Sequence, residues 1–139
     1  MSYSKSDYPL AEKHADKIRG GRGKTLADVT LDAVLTDDAT IEDLRITPQA
    51  LLNQAEISRS AGRPRLGDNF ARAAELVNVP QEVIMQTYEL LRPGRAKDKA
   101  QLLEAAMNLR KTYGAELIAD FIEEAAAVYE QRGLFLKRF

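Results

Sequence analysis

A helical block between Arg45 and Arg95 constrains the fold more than any other part of the sequence. Thr47 followed by Pro48 indicates a helix start, because threonine caps helices and proline loses nothing at the first helical position. Gly62 is typical of a helix end, and the residue before Pro80 is disfavoured in helical geometry. Between these signals the apolar residues recur at helical spacing, at Leu51, Leu52, Ala55, Leu66, Phe70, Ala73, Ala74 and Val77.

Further start and stop signals flank this block. Thr30 can cap a short helical turn, and Thr40 with Asp43 resembles a capping box, in which two side chains satisfy backbone groups at a helix start. Asp98 is a third cap, and Gly114 separates the last two helical segments. No run alternates between apolar and polar residues with a period of two. The sequence therefore predicts an all-α fold.

The first 25 residues differ from the rest because they show no sustained apolar face. Pro9 and the glycines at 20, 21 and 23 interrupt any helix there. We predict an irregular, extended N-terminal arm over residues 1–25 and a single compact helical domain of about six helices over residues 26–139. The arm either lies on a partner or is a loosely ordered terminus, and its composition favours the second.

The string from Arg19 to Thr25 is glycine-rich and basic, as a phosphate-binding loop is. A P-loop requires a glycine five positions before Gly23, where this chain has Ile18, and it must follow a strand. A single Arg–Gly copy also gives little support for RNA binding. We predict a flexible, solvated loop.

The composition offers little reactive chemistry. The 139 residues contain no cysteine, which excludes disulfides and thiolate metal sites and fits a reducing, cytoplasmic setting without a signal peptide. His14 is the only histidine, whereas zinc takes three or four protein ligands. Glu123 and Glu124 point about 100° apart on a helix and do not converge. We expect no catalytic, cofactor-binding or metal-binding residue in this chain.

The charge balance does not point to a nucleic acid or to a membrane. The net charge is −1, and no apolar run approaches the ~20 residues that span a bilayer. Four arginines nevertheless form a local basic patch, Arg59, Arg63, Arg65 and Arg72, which allows a small helical DNA-binding regulator as an alternative. Salt bridges with a partner or with neighbouring residues are the favoured interpretation. A free-standing helical adaptor is a third possibility.

Strings along residues 7–132 carry a family resemblance. They are Asp7-Tyr8-Pro9-Leu10-Ala11, Lys13-His14, Lys24-Thr25-Leu26, Thr30-Leu31-Asp32-Ala33-Val34-Leu35, Arg45-Ile46-Thr47-Pro48, Asn69-Phe70, Arg72-Ala73-Ala74-Glu75-Leu76, Val79-Pro80, Leu91-Arg92-Pro93, Phe121-Ile122, Glu124-Ala125-Ala126 and Val128-Tyr129. In these strings the chain resembles the small (gamma) subunit of adenosylcobalamin-dependent diol and glycerol dehydratases.

The resemblance implies a role inside a larger enzyme. Members of the family form a dimer of heterotrimers with large, medium and small subunits, which converts 1,2-diols such as propanediol, glycerol and ethanediol to aldehydes with loss of water. Adenosylcobalamin carries the radical chemistry, and the other subunits bind it. The small subunit is mostly helical and supports the large catalytic subunit, so the resemblance implies a non-catalytic structural role for this chain.

The resemblance also suggests where partners bind. We expect six residues to serve the fold and the subunit interface: Tyr8, Leu10, Phe70, Arg72, Tyr88 and Arg92. Residues 7–10 and the tail at residues 133–139 contain large apolar side chains that pack on the chain's own helices or on a partner. Only six residues precede Asp7, so we expect the extension that targets some family members to a bacterial microcompartment to be absent.

Overall fold

The computed structural model describes residues 2–135, which form α-helices and short 3-10 turns without any strand. The α-helices are α1 (Leu10–Lys13), α2 (Leu31–Leu35), α3 (Ile41–Leu44), α4 (Pro48–Ser60), α5 (Pro64–Leu76), α6 (Gln81–Leu91), α7 (Lys99–Tyr113) and α8 (Glu116–Gln131). The 3-10 turns are Lys5–Asp7, Ala15–Lys17 and Leu26–Asp28. The prediction of an all-α fold is confirmed. No helix in the described range has both the length and the apolar composition to cross a bilayer.

The chain divides into an N-terminal unit that ends at Val77 and a C-terminal unit that begins at Asn78. The N-terminal unit is built on a hairpin of α4 and α5, the two helices with the most extensive mutual packing. The hairpin buries Leu51, Asn53, Ala55, Ile57 and Ser58 from α4 and Gly67, Ala71 and Ala74 from α5.

The ends of α4 follow the signals in the sequence. The Thr47 hydroxyl accepts a hydrogen bond from the Ala50 amide (3.1 Å), and Pro48 is the first helical residue. At the other end Gly62 has a φ of +77°. The Gly62 amide donates to Arg59 O (3.0 Å) and the Arg63 amide donates to Ser58 O (2.9 Å), which is the bond pattern of a Schellman motif. The chain can therefore reverse and start α5 at Pro64.

Gly67 allows α5 to approach α4 closely. A Cβ atom at this position would lie 2.7 Å from Arg59 Cγ and 2.9 Å from the Ala55 carbonyl oxygen. Both distances are shorter than a carbon atom tolerates. The hairpin therefore requires glycine here, because the backbone of α4 occupies the space of a side chain.

The C-terminal unit is built on a second hairpin, formed by α7 and α8. The Asp98 carboxylate accepts from the Gln101 amide (3.0 Å) at the start of α7, and Gly114 ends the helix with a φ of +65°. The residues buried in this unit recur at helical spacing, at Leu102, Ala106 and Leu109 in α7 and Ala119, Ile122 and Ala126 in α8. The Tyr129 hydroxyl donates to the Leu91 carbonyl and so ties α8 to the end of α6.

The N-terminal arm is irregular except for short turns, and α4 holds its start. The Tyr3 amide donates to Glu56 Oε2 (2.8 Å), and the Lys5 amide donates to Ser60 Oγ (2.6 Å). Farther along the arm, Leu10 is only 6% exposed. These contacts attach the arm to its own unit, whereas the composition favoured a loosely ordered terminus. The boundary expected at residue 25 stays a prediction.

Two of the expected apolar contacts differ in the structure. Leu52 is 42% exposed and does not belong to the buried stripe of α4, because it lies about 100° around the helix from the buried Leu51. Tyr88, expected to serve the fold and the interface, is exposed on α6 and makes little contact within its own unit. In the apolar tail, the Phe135 ring packs on Tyr129 at a centroid distance of 6.2 Å. Residues 136–139 of that tail lie outside the described residues.

Candidate interaction surface

The most distinctive surface of the N-terminal unit is residues 26–46, hereafter the apolar segment. It contains the 3-10 turn Leu26–Asp28 with α2 and α3, and neither helix packs extensively against another described element. Its large apolar side chains are between 51% and 74% exposed: Leu26, Leu31, Val34, Leu35, Ile41, Leu44 and Ile46. Single exposed leucines are ordinary on a protein surface, but seven such side chains in 21 residues make the segment a candidate interaction surface.

The short helices of the segment are fixed by capping groups. The Thr30 hydroxyl accepts from the Ala33 amide (3.1 Å) at the start of α2. Thr40 and Asp43 form the capping box that the sequence predicts, with the Thr40 amide donating to Asp43 Oδ2 (2.9 Å). The helices are too short to be stable by hydrogen bonding alone, so caps and tertiary contacts must hold them.

A cluster of four charged residues, hereafter the clamp, connects the segment to the glycine-rich loop that precedes it: Arg22, Lys24, Asp38 and Asp43. Arg22 Nε donates to Asp43 Oδ1 (2.9 Å), and Arg22 Nη2 donates to the Asp38 carbonyl (2.6 Å). Lys24 Nζ donates to Asp38 Oδ2 (2.8 Å). The clamp joins the glycine-rich loop before the segment to the turn and helix α3 within it.

The glycine-rich loop is largely solvated, as we predicted, but hydrogen bonds and packing hold it in place, whereas we predicted a flexible loop. The Gly20 amide donates to Lys24 O (2.8 Å), and the Gly23 amide donates to Gly20 O (2.9 Å). A Cβ at Gly20 would lie 2.6 Å from the Asp43 carbonyl oxygen, so the loop packs directly on α3. The sequence does not reveal this packing because Asp43 lies 23 positions from Gly20.

The Asp43 carboxylate is buried and remains charged. The Thr40 backbone amide and then the Arg22 guanidinium lower the pKa of Asp43 below its ordinary value of 3.8, against the opposing effect of burial. The Thr25 amide and hydroxyl likewise lower the pKa of Asp28, at the first turn of the segment. The carboxylates that cap the segment are thus ionised at neutral pH.

The apolar segment is also strongly acidic. It contains six carboxylates and one arginine, a formal net charge of −5, whereas the whole chain has −1. Asp32 and Asp37 are exposed, and Asp37 occupies the left-handed region with a φ of 59°. The surface thus combines exposed aliphatic side chains with negative charge, which suits a protein partner and opposes a phosphate backbone.

The C-terminal unit carries a second, smaller feature on α6. A shallow cavity of about 680 Å³ is lined by Glu82, Met85, Gln86, Glu89, Leu90 and Arg95. Three of its polar side chains bond to neighbours on the chain, since Gln86 donates to Glu82 (3.3 Å) and Glu89 accepts from Arg92 (3.1 Å). These groups do not converge on one point as a catalytic site requires.

The only histidine also has structural partners. His14 Nε2 lies 2.8 Å from Asp7 Oδ1, and the His14 ring packs against Tyr3 at a centroid distance of 5.4 Å. The Ser4 amide and then the His14 side chain lower the pKa of Asp7 to about 2. Among residues 2–135, no three side chains of His, Asp and Glu are grouped as a metal site would require.

The six residues expected at a subunit interface divide between the units. Tyr8 is exposed, whereas Phe70 and Arg72 are half-buried on α5. Leu10 is buried in the N-terminal unit, so we assign it to the fold and not to a partner contact. Tyr88 and Arg92 are exposed in the C-terminal unit, and Arg92 pairs with Glu89. An interface role for the other five residues stays a prediction.

The sequence reasoning missed the apolar segment as a surface. The available signal was the spacing of Leu31, Val34 and Leu35 on one face of a helix of only five residues. Such a short helix can turn its apolar face inward or outward with equal local geometry. Periodicity finds the face, but only the tertiary structure reveals that its side chains are exposed.

Two arginines of the DNA-binding alternative are engaged by neighbouring residues. Arg59 Nη2 donates to Asp68 Oδ1 (2.9 Å), and Arg72 Nη2 donates to Asn69 Oδ1 (2.6 Å). Both contacts tie neighbouring turns or helices of the hairpin together. This agrees with the structural interpretation of the patch and does not favour a DNA-binding regulator.

Comparison with known proteins gives one consistent result. The sequence profile of the family described as "Dehydratase small subunit" matches residues 3–136. The propanediol dehydratase small subunit of Citrobacter freundii is 47% identical over 127 residues, which cover 91% of this chain and 73% of that protein. The propanediol dehydratase small subunit of Salmonella typhimurium has the same identity and coverage.

Proposed function

This chain belongs to the dehydratase small-subunit family, and we propose that it is the non-catalytic small subunit of an adenosylcobalamin-dependent diol or glycerol dehydratase. The observation that carries the proposal is the 47% identity to propanediol dehydratase small subunits over nearly the whole chain. The complex would convert 1,2-diols such as propanediol to the aldehyde with loss of water.

The contacts of the ionisable residues support a structural role. His14 is engaged by Asp7, and Asp43 is engaged by Thr40 and Arg22. Arg110 is engaged by three carboxylates of α8, those of Glu116, Asp120 and Glu123. Each of these groups stabilises a turn, a cap or a hairpin, as expected of residues with a structural role.

We assign the cofactor to the other subunits of the complex. Adenosylcobalamin would supply the radical chemistry there. The imidazole of this chain is paired with Asp7 and packs on Tyr3, which supports a structural role for the histidine.

The partners in this proposal are a large and a medium subunit, assembled with this chain as a dimer of heterotrimers. Exposed apolar side chains in each unit support subunit contacts, and in the C-terminal unit they include Met85, Tyr88 and Met107. Tyr8, Phe70, Arg72, Tyr88 and Arg92 remain our candidates for the interface. The cytoplasmic location stays a prediction.

Co-expression with the larger dehydratase subunits tests the proposal. We expect native mass measurement to detect this chain in the complex, and we expect diol dehydratase activity to collapse when the chain is omitted. The purified chain alone should not turn over propanediol. Turnover by the single chain, or a fully active and stable enzyme without it, would contradict the proposal. Salt-dependent binding of duplex DNA at micromolar protein would favour the regulator instead.

A further inference from the structure

We propose that the apolar segment, residues 26–46, is the surface that docks onto a larger subunit of the dehydratase, on an apolar patch bordered by basic side chains. The inference rests on the proposed function and adds to it the location and the chemistry of the interface. It depends on the exposure of the segment, its rigidity, its size and its charge.

The exposed side chains of the segment form helical faces without a partner in their own unit. Leu31, Val34 and Leu35 have the i, i+3, i+4 spacing that places them on one side of α2, and each is more than half exposed. Ile41 and Leu44 repeat this arrangement on α3. An amphipathic helix normally turns its apolar face toward a core, so these faces are built to meet another surface.

The clamp holds the segment in the conformation in which its apolar side chains are exposed. Arg22 bonds to both Asp43 and the Asp38 carbonyl, and Lys24 bonds to the Asp38 carboxylate. Thr36 Oγ1 also donates to Asp32 O (2.9 Å) and closes the end of α2. A surface held in its bound shape loses less conformational entropy on association, so such a surface binds more tightly.

The size of the segment suits a stable subunit contact. A specific interface takes about 20–30 residues and ~800 Å² from each partner. The segment offers 21 consecutive residues, seven of them large, apolar and mostly exposed. One continuous stretch of chain can therefore supply most of one side of an interface.

The charge of the segment selects the kind of partner. Its net charge of −5 requires basic side chains around the apolar patch that receives it. Exposed Asp32 and Asp37 are the groups best able to meet them. A second copy of this chain would bring an identical acidic segment against the first, so like charges would oppose self-association through this face.

A binding titration with the purified larger subunits tests the docking site. We expect Leu31→Ser combined with Leu35→Ser to weaken binding by at least about 10-fold, because serine gives up the apolar area that each leucine would bury on the partner. The matched control is Leu52→Ser with Leu66→Ser, two exposed leucines of the α4–α5 hairpin, which should change the affinity by less than about 3-fold. Circular dichroism checks that each variant keeps its helical content.

A second pair of variants tests the charge. Asp32→Asn with Asp37→Asn should reduce the salt dependence of the association rate, and asparagine tolerates the left-handed backbone of Asp37. The exposed carboxylates of Glu104 and Glu124 provide the control, since Glu104→Gln with Glu124→Gln should leave that salt dependence unchanged.

Hydrogen exchange on the wild-type complex tests the site without any substitution, and we expect protection of the segment's backbone amides when the partner binds. If the wild-type chain does not bind the larger subunits, the proposed function fails. If it binds them, but the segment stays unprotected and the Leu31/Leu35 variant binds within about 3-fold of wild type, the docking site is wrong. Self-association of the chain that the same variant abolishes would assign the surface to a second copy and would also overturn the proposal.

Discussion

At the scale of single residues, Gly67 shows how one missing side chain sets the geometry of a hairpin. A Cβ at this position would meet both the side chain of Arg59 and the backbone of α4 at Ala55. We expect Gly67→Ala to lower the free energy of unfolding by about 1–3 kcal/mol, the usual range for overpacking. Chemical denaturation of wild type and variant measures this difference in unfolding free energy. Helix propensity alone would favour alanine over glycine at this position.

Arg59→Ala separates the two obstacles, because it removes the Cγ atom and leaves the Ala55 carbonyl in place. In the Arg59→Ala background, Gly67→Ala should still lower the free energy of unfolding, though by less. The remaining decrease is expected because the Ala55 carbonyl belongs to the helix backbone and cannot move aside. If Gly67→Ala no longer lowers the free energy of unfolding in the Arg59→Ala background, the flexible arginine alone is the obstacle. If Gly67→Ala lowers the free energy of unfolding equally in both backgrounds, the arginine side chain simply moves away.

Asp43 provides a second prediction at this scale, and it depends on pH. The pKa of Asp43 is lower in the folded chain than its ordinary value of 3.8, so its charged form stabilises the fold above that value. The contribution is lost as pH falls through the lowered pKa. We expect Asp43→Asn to reduce the melting temperature at pH 7, and we expect the gap to wild type to narrow below about pH 4.

The matched control for Asp43 is Asp38, whose carboxylate is mostly exposed and pairs with Lys24. Exposed ion pairs contribute little to stability, so Asp38→Asn should change the melting temperature less at pH 7. Equal effects of the two substitutions, or a gap for Asp43→Asn that widens in acid, would contradict the role assigned to the buried carboxylate.

At the scale of elements, the α7–α8 hairpin depends on a narrow buried stripe. Leu109 is 1% exposed and Leu103 on the same helix is 37% exposed, so the two leucines differ mainly in burial. We expect Leu109→Ala to cost about 2–5 kcal/mol of unfolding free energy and Leu103→Ala about 1 kcal/mol or less. Urea denaturation of both variants checks this, and similar costs would show that the stripe is not the core of the unit.

Helix ends could be predicted from the sequence because capping is a local property. Thr30, Thr47 and Asp98 accept the expected amide hydrogen bonds, and Gly62 and Gly114 adopt the left-handed backbone that ends a helix. The interactions between distant residues could not be predicted in the same way. The carboxylates of Glu116, Asp120 and Glu123 surround Arg110, and their hydrogen bonds raise its pKa, but only the packing of α7 on α8 brings these charges together.

At the scale of the whole molecule, the sequence strings predicted the family, whereas the docking surface could not be read from them. The six expected interface residues divide between the two units, and Leu10 proved to be buried. Whether a short apolar face is covered depends on the rest of the chain, and periodicity carries no information about that cover. The subunit role therefore follows from the family, and the proposed contact surface follows from the structure.

A partner that binds only the folded chain should stabilise it. At a partner concentration of 100 times the dissociation constant, the gain is about 2.7 kcal/mol, which raises the melting temperature by several degrees. We expect the wild-type chain to show this shift in scanning calorimetry with the larger subunits. The Leu31→Ser, Leu35→Ser variant should show a smaller shift at the same concentrations, and an equal shift would contradict docking through the apolar segment.

The clamp has a consequence for peptide design. Arg22 reaches across 21 positions to Asp43, so residues 22–43, which include most of the segment, form a ring closed by an ion pair and not a linear epitope. A synthetic peptide of residues 26–46 lacks this closure and must lose more conformational entropy on binding. A peptide of residues 20–46, or one cyclised covalently between positions 22 and 43, should compete better for the larger subunit in a displacement assay. The clamp thus indicates where a mimic of this subunit should be stapled.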